Sequence, residues 1–238
     1  MSLQRWRAND QSLFILNRHP YRETSLLIDG LTPDYGKVAL IAKGARGAKS
    51  RRASILQPFI PLRVSWQGRT ELMTLTQVER DASAMPTLSG KRLYCGFYLN
   101  EIIVYLLHAY DPHPQLFEDY RCALMKLAED DQDMAHTLRQ FECGLLQEIG
   151  YQLILDRDVQ TGLPIDSATI YGYLPGAGPS VDFVAEPTAH QIDGKSLLTL
   201  KSGDAGEAKQ GLAIKRLMRF LIDHQLNGKM IKSRSLFS

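Results

Sequence analysis

The apolar residues of the first third of the chain fall in short runs that predict β-strands. The runs are separated by turn residues such as Asp34-Tyr35-Gly36 and Gln67-Gly68-Arg69, a pattern typical of strands joined by tight turns. They lie at 13–16, 25–28, 38–42, 55–66 and 71–76. Five short strands within about eighty residues predict a small Greek-key barrel of the OB type.

Beyond Met85-Pro86 the spacing of the apolar residues changes to that of amphipathic helices. Apolar side chains recur three or four positions apart in three segments, at about 99–110, 114–127 and 134–149. This spacing puts them on one face of each helix, and the three faces together favour a helical bundle. Pro114 is placed to open the second helix and Gly150 to end the third.

The remaining pattern predicts a hairpin and two more helices. Residues 169–174 and 180–184 flank a turn rich in Pro and Gly, which is typical of a β-hairpin. Helices are predicted at 194–201 and 207–225. The predicted fold class is therefore α+β: an N-terminal OB-type five-stranded β-barrel in residues 1–80, then an α-helical domain in residues 81–238 with a small β-hairpin insertion at about 151–185.

Charge is distributed unevenly along the chain. Residues 1–70 hold twelve Lys or Arg and four acids, and the remainder carries a net charge of −6, although the whole chain has a net charge of +2. The window 35–70 contains no Asp or Glu. Basic side chains displace counterions from a phosphate backbone, so the cations of this window are predicted to bind DNA. They are Lys37, Lys43, Arg46, Lys49, Arg51, Arg52, Arg63 and Arg69.

Five of these cations lie in a decamer rich in Gly, Ala and Ser, residues 43–52, between two predicted strands. The favoured interpretation is a mobile basic loop that follows a phosphate backbone, and the alternative is a solvated loop. Tyr35, beside a turn, is the predicted base-stacking residue. Phe14 and Trp66 lie in the apolar phase of their strands and are predicted to be core. Residues 5–7, Arg-Trp-Arg, form a basic end that is capable of stacking.

A second, smaller basic patch is predicted in the last forty residues. It consists of cations on the polar face of the last helix and in the segment after it. A solvated helix face is the default interpretation of such a patch, and a second phosphate contact is the alternative. The residues are Lys215, Arg216, Arg219, Lys229, Lys232 and Arg234.

The sequence contains no motif for catalysis or metal binding. Its three Cys, Cys95, Cys122 and Cys143, lie far apart in apolar helical patterns, which is typical of reduced thiols, and the His residues show no metal-ligand spacing. Segment 44–50 has Ala48 where a phosphate-binding loop needs Gly before its Lys. No apolar run has the length of a membrane span. We therefore predict a cytoplasmic protein that is not an enzyme, with no cofactor and no membrane partner.

Several segments, in this order, resemble the bacterial RecO recombination mediator family over nearly the full length of the chain. They are HPYRETSLL (19–27), YGKV (35–38), AKGAR (42–46), LQPF (56–59), YLNE (98–101), RQFE (139–142) with GY (150–151), and KSRSLF (232–237).

The resemblance implies a nucleoid-associated DNA repair protein of the RecFOR pathway. Family members bind single- and double-stranded DNA, anneal complementary strands and act with RecR to load RecA on DNA coated by single-strand binding protein (SSB). An OB-fold RNA-binding protein is the alternative function, and an enzyme is a third hypothesis. Tighter binding to RNA than to DNA of the same sequence would indicate the RNA-binding protein.

Two details of the resemblance concern the helical region. In the family the acidic tail of SSB docks there, and Arg139 is the residue implied to bind its carboxylate; the alternatives for Arg139 are an intrahelical pair with Glu142 and a solvated charge. Many members also carry a four-cysteine zinc module after the Gly150-Tyr151 pair. Residues 152–185 contain no Cys, so no zinc is expected.

Overall fold

The computed structural model describes residues 6–47, 51–83, 85–131 and 133–237, with Arg51 described as backbone only. The chain forms two compact units. Unit 1 comprises Met1–Asp130 and Ile231–Ser238, and unit 2 comprises Asp131–Met230. Unit 1 is larger than the domain predicted for residues 1–80, and the division of the chain at residue 80 stays a prediction. No helix in the described ranges is long and apolar enough to cross a membrane.

Unit 1 contains the predicted five-stranded barrel. Its strands are β1 (Trp6–Tyr21), β2 (Ser25–Thr32), β3 (Gly36–Ala42), β4 (Pro61–Gly68) and β5 (Leu72–Arg80). They close in the order β1-β2-β3-β5-β4, with β4 antiparallel to β1 and β3 parallel to β5. Inward side chains such as Leu13, Ile28, Leu40 and Trp66 alternate along the strands and fill the interior. The α+β prediction with an OB-type barrel is confirmed.

The predicted strand at 55–66 is wrong in its first half. Residues Arg51–Ile55 form a short helix, α1, and β4 begins only at Pro61. Pro58 and Pro61 have no backbone N–H for a sheet ladder, so regular pairing is not possible before the second proline. Phe59, between them, has a φ of +67°. The apolar run therefore crosses from helix to strand.

Two helices, α2 (Gly90–Leu106) and α3 (Pro114–Ala128), pack in unit 1, where α2 contacts β1. The ring of Phe14 on β1 lies 5.3 Å from the ring of Phe117 and 5.3 Å from that of Tyr120. Asn100 donates a hydrogen bond to the carbonyl oxygen of Leu16 (2.8 Å) and accepts one from the Tyr120 hydroxyl (2.5 Å). This buried polar chain fixes both helices against the first strand.

Unit 1 is completed by a 3₁₀ segment, Lys232–Phe237, that packs on α2. The Glu101 carboxylate accepts hydrogen bonds from the backbone N–H groups of Lys232 and Ser233, both 2.8 Å, and from the Ser233 hydroxyl at 2.6 Å. The ring of Phe237 lies 6.1 Å from that of Tyr94. Burial alone would raise the pKa of Glu101, but these hydrogen bonds outweigh it and hold the pKa below its ordinary value.

Unit 2 contains the remaining helices, α4 (Met134–Glu148), α5 (Gly194–Ser202) and α6 (Ala208–Gln225). Both α4 and α5 pack against α6. The expected bundle of three successive helices is therefore not one compact unit, because α2 and α3 belong with the barrel and α4 belongs with α6. The predictions at 194–201 and 207–225 are confirmed.

The predicted hairpin lies in a three-stranded sheet in unit 2, of which its first strand is the centre. Strands β6 (Ile170–Leu174) and β7 (Gly178–Ser180) form it, and β8 (His190–Asp193) pairs with the other edge of β6. The second predicted strand, at 180–184, is wrong except for Ser180: the strand lies at Gly178–Ser180, and Val181–Phe183 forms a 3₁₀ turn. A strand of four residues such as β8 leaves too little alternation to detect in the sequence.

A buried carboxylate organises the loop that precedes this sheet. Asp158, 3% exposed, accepts hydrogen bonds from the N–H groups of Gln160, Thr161 and Val181 and from the Ser180 hydroxyl, all between 2.9 and 3.0 Å. Burial raises its pKa, but the hydrogen bonds together outweigh burial and hold the pKa below its ordinary value. The loop thus has an internal anchor within the Cys-free segment 152–185.

Candidate nucleic-acid interface

The β1–β2 turn and the start of the loop after β3 are joined at one end of the barrel. The backbone N–H of Arg46 donates to the carbonyl oxygen of Thr24 (2.9 Å), and the Arg46 guanidinium donates to that of Arg22 (2.6 Å). The Arg22 guanidinium lies over the ring of Tyr21, 5.4 Å from its centroid. Arg22, Lys43 and Arg46 are exposed. We call Tyr21, Arg22, Lys43 and Arg46 the basic rim.

The first half of the predicted mobile loop is anchored. Ala45 is fully buried in the barrel core, and Arg46 is held at both its backbone and its side chain. Lys49 lies outside the described residues, and Arg51 begins α1 with its side chain not described. The part of the rim in this loop, Lys43 and Arg46, therefore has a fixed backbone and exposed cations.

Sequence reasoning missed Arg22 and Tyr21. The acid-free window begins at residue 35, directly after Asp34, and Glu23 and Asp29 also interrupt the basic residues before it. The barrel brings the two loops together, although Arg22 and Arg46 are 24 positions apart. The predicted OB topology could have pointed to Arg22 and Tyr21, since the loop between strands 1 and 2 of an OB barrel belongs to its binding surface.

Arg63 and Arg52 lie elsewhere, in a groove of about 440 Å³ on β4 and β5 that also contains Asp10 and Glu79. The Arg63 Nε donates to Asp10 (2.8 Å), and its Nη1 donates to the Ser12 hydroxyl (2.8 Å). The hydrogen bond from Arg63 holds the pKa of Asp10 below its ordinary value. Arg52 donates to the carbonyl oxygen of Thr76 (3.3 Å). Arg63, a cation of the acid-free window 35–70, is thus paired with an acid of the neighbouring strand β1.

The other residues predicted to bind DNA lie in three different settings. Lys37 Nζ donates to the carbonyl oxygen of Val104 near the carboxyl end of α2 (2.6 Å), where a cation is favoured by the helix dipole. Tyr35 is half-buried, and its ring meets that of Trp66 edge-on at 5.2 Å. Arg69 is exposed in the β4–β5 turn. The DNA-binding role of each stays a prediction.

The second basic patch is divided between the two units. Lys215, Arg216 and Arg219 are exposed on α6, opposite its buried apolar stripe, and Lys229 is exposed after it. Lys232 and Arg234 belong to unit 1, where the Arg234 guanidinium lies 6.0 Å from the centroid of the Tyr98 ring. A phosphate contact by any of these residues stays a prediction.

Arg139 forms the intrahelical pair that was one of its alternatives. Its Nη2 donates to Oε1 of Glu142 at 2.7 Å, and the side chain of Glu142 is fully buried while that of Arg139 is 15% exposed. A buried carboxylate needs such a cation, because an unpaired charge in the interior is costly. Burial raises the pKa of the neighbouring Cys143 thiol to about 12, so this thiol is neutral at pH 7. An SSB-tail contact at Arg139 stays a prediction.

The part of the chain that the structure describes contains no group of three or more His, Cys, Asp or Glu side chains suited to a metal ion. The candidate interface consists of cations and aromatic rings of the barrel, and such groups suit phosphates and bases.

Comparison with known proteins identifies the family. The family models "Recombination protein O N terminal" and "Recombination protein O C terminal" match residues 9–83 and 88–234. The chain is 39% identical over 234 residues to the DNA repair protein RecO of Marinobacter nauticus, covering 97% of this chain and 94% of that protein. It is 42% identical over 224 residues to the DNA repair protein RecO of Methylococcus capsulatus, covering 94% and 90%.

A third relative, the DNA repair protein RecO of Coxiella burnetii, is 42% identical over 226 residues, covering 94% of this chain and 95% of that protein. The resemblance on which the family was predicted is confirmed on both halves of the chain. An OB-type barrel is the fold expected of its N-terminal half. The chain therefore belongs to the recombination protein O family.

Proposed function

We propose that this chain acts in DNA repair and recombination by binding single- and double-stranded DNA at its barrel and annealing complementary strands there. With RecR, it helps to load RecA on single strands that are coated by SSB. Membership of the family supports the role in DNA repair and recombination. The basic rim supports the DNA-binding part.

The observation that carries the proposal is the link between Arg46 and Arg22. It gathers three exposed cations from two loops at one end of a closed barrel. Exposed cations bind a phosphate backbone without reading its sequence, which is what a protein that acts on any damaged region requires. Annealing brings two like-charged strands to one surface, and a positive surface lowers the repulsion between them.

We propose that Arg139 takes part in binding the SSB tail while it remains paired with Glu142. A guanidinium has five N–H donors, and the hydrogen bond to Glu142 uses Nη2. The tail carboxylate would therefore share the guanidinium with Glu142. The proposal includes no catalytic step and no cofactor.

The test is binding to a fluorescently labelled oligonucleotide across a salt series. The triple variant Arg22→Gln/Lys43→Gln/Arg46→Gln should bind single-stranded DNA more weakly, with a log–log salt slope reduced by about 2, since each phosphate contact on a single strand contributes about 0.7. Annealing of complementary oligonucleotides should slow in parallel.

The matched control removes the same charge from α6, as Lys215→Gln/Arg216→Gln/Arg219→Gln. An unchanged slope in the rim variant, with a reduced slope in the α6 variant, would move the DNA to the second basic patch. Tighter binding to RNA than to DNA of the same sequence would support the alternative of an RNA-binding protein. Thermal melting of each variant checks that the fold is intact.

A further inference from the structure

Trp6 is an exposed aromatic side chain at an edge of the barrel. It begins β1, pairs with Gly68 of β4 and is 54% exposed. Of the barrel's Phe, Tyr and Trp side chains that the structure describes, it alone is exposed: Phe14 and Trp66 are buried, and Tyr21, Tyr35 and Phe59 are partly buried. An exposed indole costs free energy in water, so its position invites an explanation.

The exposure follows from the residue that faces it across the ladder. Gly68 has no side chain to cover the indole, and a Cβ there would be 2.6 Å from the sulfur of Met73. Met73, 2% exposed, closes the core beside Gly68. Two residues further along β1, Ala8 faces the buried Trp66. The Trp6 side chain thus lies outside the barrel core, which ends at Ala8 and Trp66.

Two exposed cations are close to Trp6 in sequence or across the ladder, and the alternation of side chains along β1 puts Arg7 on the face opposite to the indole. Arg7 follows Trp6, and its Nε is oriented by a hydrogen bond to the Asn9 side chain (3.0 Å). Arg69 follows Gly68 in the β4–β5 turn and is exposed. The one acid of this turn, Glu71, leaves the group with a net positive charge. An aromatic face with adjacent cations is the arrangement that binds single-stranded nucleic acid by stacking its bases and pairing its phosphates.

The position of Trp6 on the barrel points to the same ligand. OB-fold proteins bind oligonucleotides on a surface bounded by the loop between strands 1 and 2 and the loop between strands 4 and 5. The basic rim occupies the first of these loops, and Trp6 lies beside the second. A single strand that contacts the rim and continues across the barrel therefore reaches Trp6.

We propose that Trp6 is a stacking platform for an unpaired nucleobase, with Arg69 of the neighbouring β4–β5 turn to contact an adjacent phosphate. The inference rests on the proposed DNA binding and adds a base contact to it. A duplex keeps its bases stacked internally, so the platform favours single strands over duplexes. Each strand to be annealed can thus be held with its bases open.

Trp6→Ala should weaken binding of a homopolymeric thymidine oligonucleotide about 5- to 150-fold, the usual effect of removing a stacked aromatic residue. The salt slope should stay the same, because stacking adds no phosphate contact. Trp6→Phe should retain most of the affinity, since a smaller ring still stacks. Arg69→Gln should instead lower the salt slope by about 0.7.

An abasic oligonucleotide with the same phosphodiester backbone provides the control ligand. The intact protein and Trp6→Ala should bind it equally, because no base is present to stack. Trp fluorescence gives a direct readout, since the chain has two Trp and Trp66 is 2% exposed. The oligonucleotide should quench the emission of the intact protein and leave that of Trp6→Phe, which reports Trp66 alone, unchanged.

Equal affinity of Trp6→Ala and the intact protein for the thymidine oligonucleotide would overturn the inference, as would the absence of quenching at saturation. If binding and its salt dependence persist in that case, only the stacking inference fails. If the intact protein binds neither single strands nor duplexes, the proposed function fails together with the inference. A loss of affinity that is equal for the abasic ligand would also overturn it, because the effect would then come from the fold.

Discussion

A Cβ atom on Gly36 would overlap the backbone carbonyl group of Asp111, so the β2–β3 turn touches the backbone that joins α2 to α3. Gly36 also has a φ of +59°, in the left-handed region. Both facts require glycine at this position. Any other residue would clash with Asp111 and would also be strained by the left-handed backbone.

Gly36→Ala should therefore destabilise the protein by several kcal/mol, from the left-handed backbone and the clash with Asp111 together. Gly44→Ala is the matched control, since Gly44 has a φ of +68° but open space around its would-be Cβ. It should cost only about 1–2 kcal/mol. Urea unfolding of both variants measures the difference, and equal losses would contradict the role of Asp111.

Asp10→Asn should increase the affinity for single-stranded DNA. The change removes the carboxylate that pairs with Arg63, so Arg63 loses its ion-pair partner and keeps only the more distant Glu79 and Asp81 as acidic neighbours. The salt slope should rise by up to about 0.7 if Arg63 then contacts a phosphate. Asp34→Asn, which removes an exposed acid of the β2–β3 turn, controls for the change in net charge. The same slope for both variants would show that Arg63 stays off the DNA.

Asp158→Asn should destabilise unit 2 at pH 7 by about 2–3 kcal/mol, because a charged acceptor of four hydrogen bonds becomes neutral. The pKa of Asp158 is lowered in the folded state, so its contribution is complete above the unfolded pKa near 4 and is lost as the pH falls through the folded pKa. The difference between the variant and the intact protein should therefore shrink toward low pH.

Urea unfolding at several pH values tests this expectation, with Asp182→Asn as the control on an exposed acid nearby. A difference that is constant from pH 7 to strongly acidic conditions would mean that the carboxylate charge of Asp158 is not what stabilises the loop.

Tyr120→Phe should cost about 1–3 kcal/mol, since it leaves the buried side-chain oxygen of Asn100 without this donor. Burial raises the pKa of Tyr120, so its hydroxyl stays protonated across the ordinary pH range and the cost should not depend on pH. Tyr94→Phe is the control, at a half-buried tyrosine of α2 whose ring packs on Phe237. Thermal melting at pH 6 and pH 9 measures both, and a cost that disappears at pH 9 would contradict the expectation.

The barrel was predictable because its signals are local. Alternating apolar residues and turn residues mark each strand, and the parity of the alternation places Leu62, Val64 and Trp66 together in the core. The first strand is longer than predicted because residues such as Trp6 and Arg7 join it by pairing with β4, sixty positions away. No local pattern reveals that pairing.

The candidate site was less predictable, for the same reason. Lys43 and Arg46 were found from charge, but the contacts that decide which cations are available join distant segments: Asp10 with Arg63, and Arg22 with Arg46. Charge along the sequence predicts a basic surface. The partners of each charge become known only when the barrel closes.

The segment Lys232–Phe237 belongs to unit 1, although all of unit 2 precedes it in the chain. During synthesis the barrel, α2 and α3 leave the ribosome first, and domains generally fold in that order. In the nascent unit 1, Tyr94 and Glu101 stay without their contacts to Lys232–Phe237 until unit 2 has been translated. Completion of unit 1 is in this way a late step in the biogenesis of the protein.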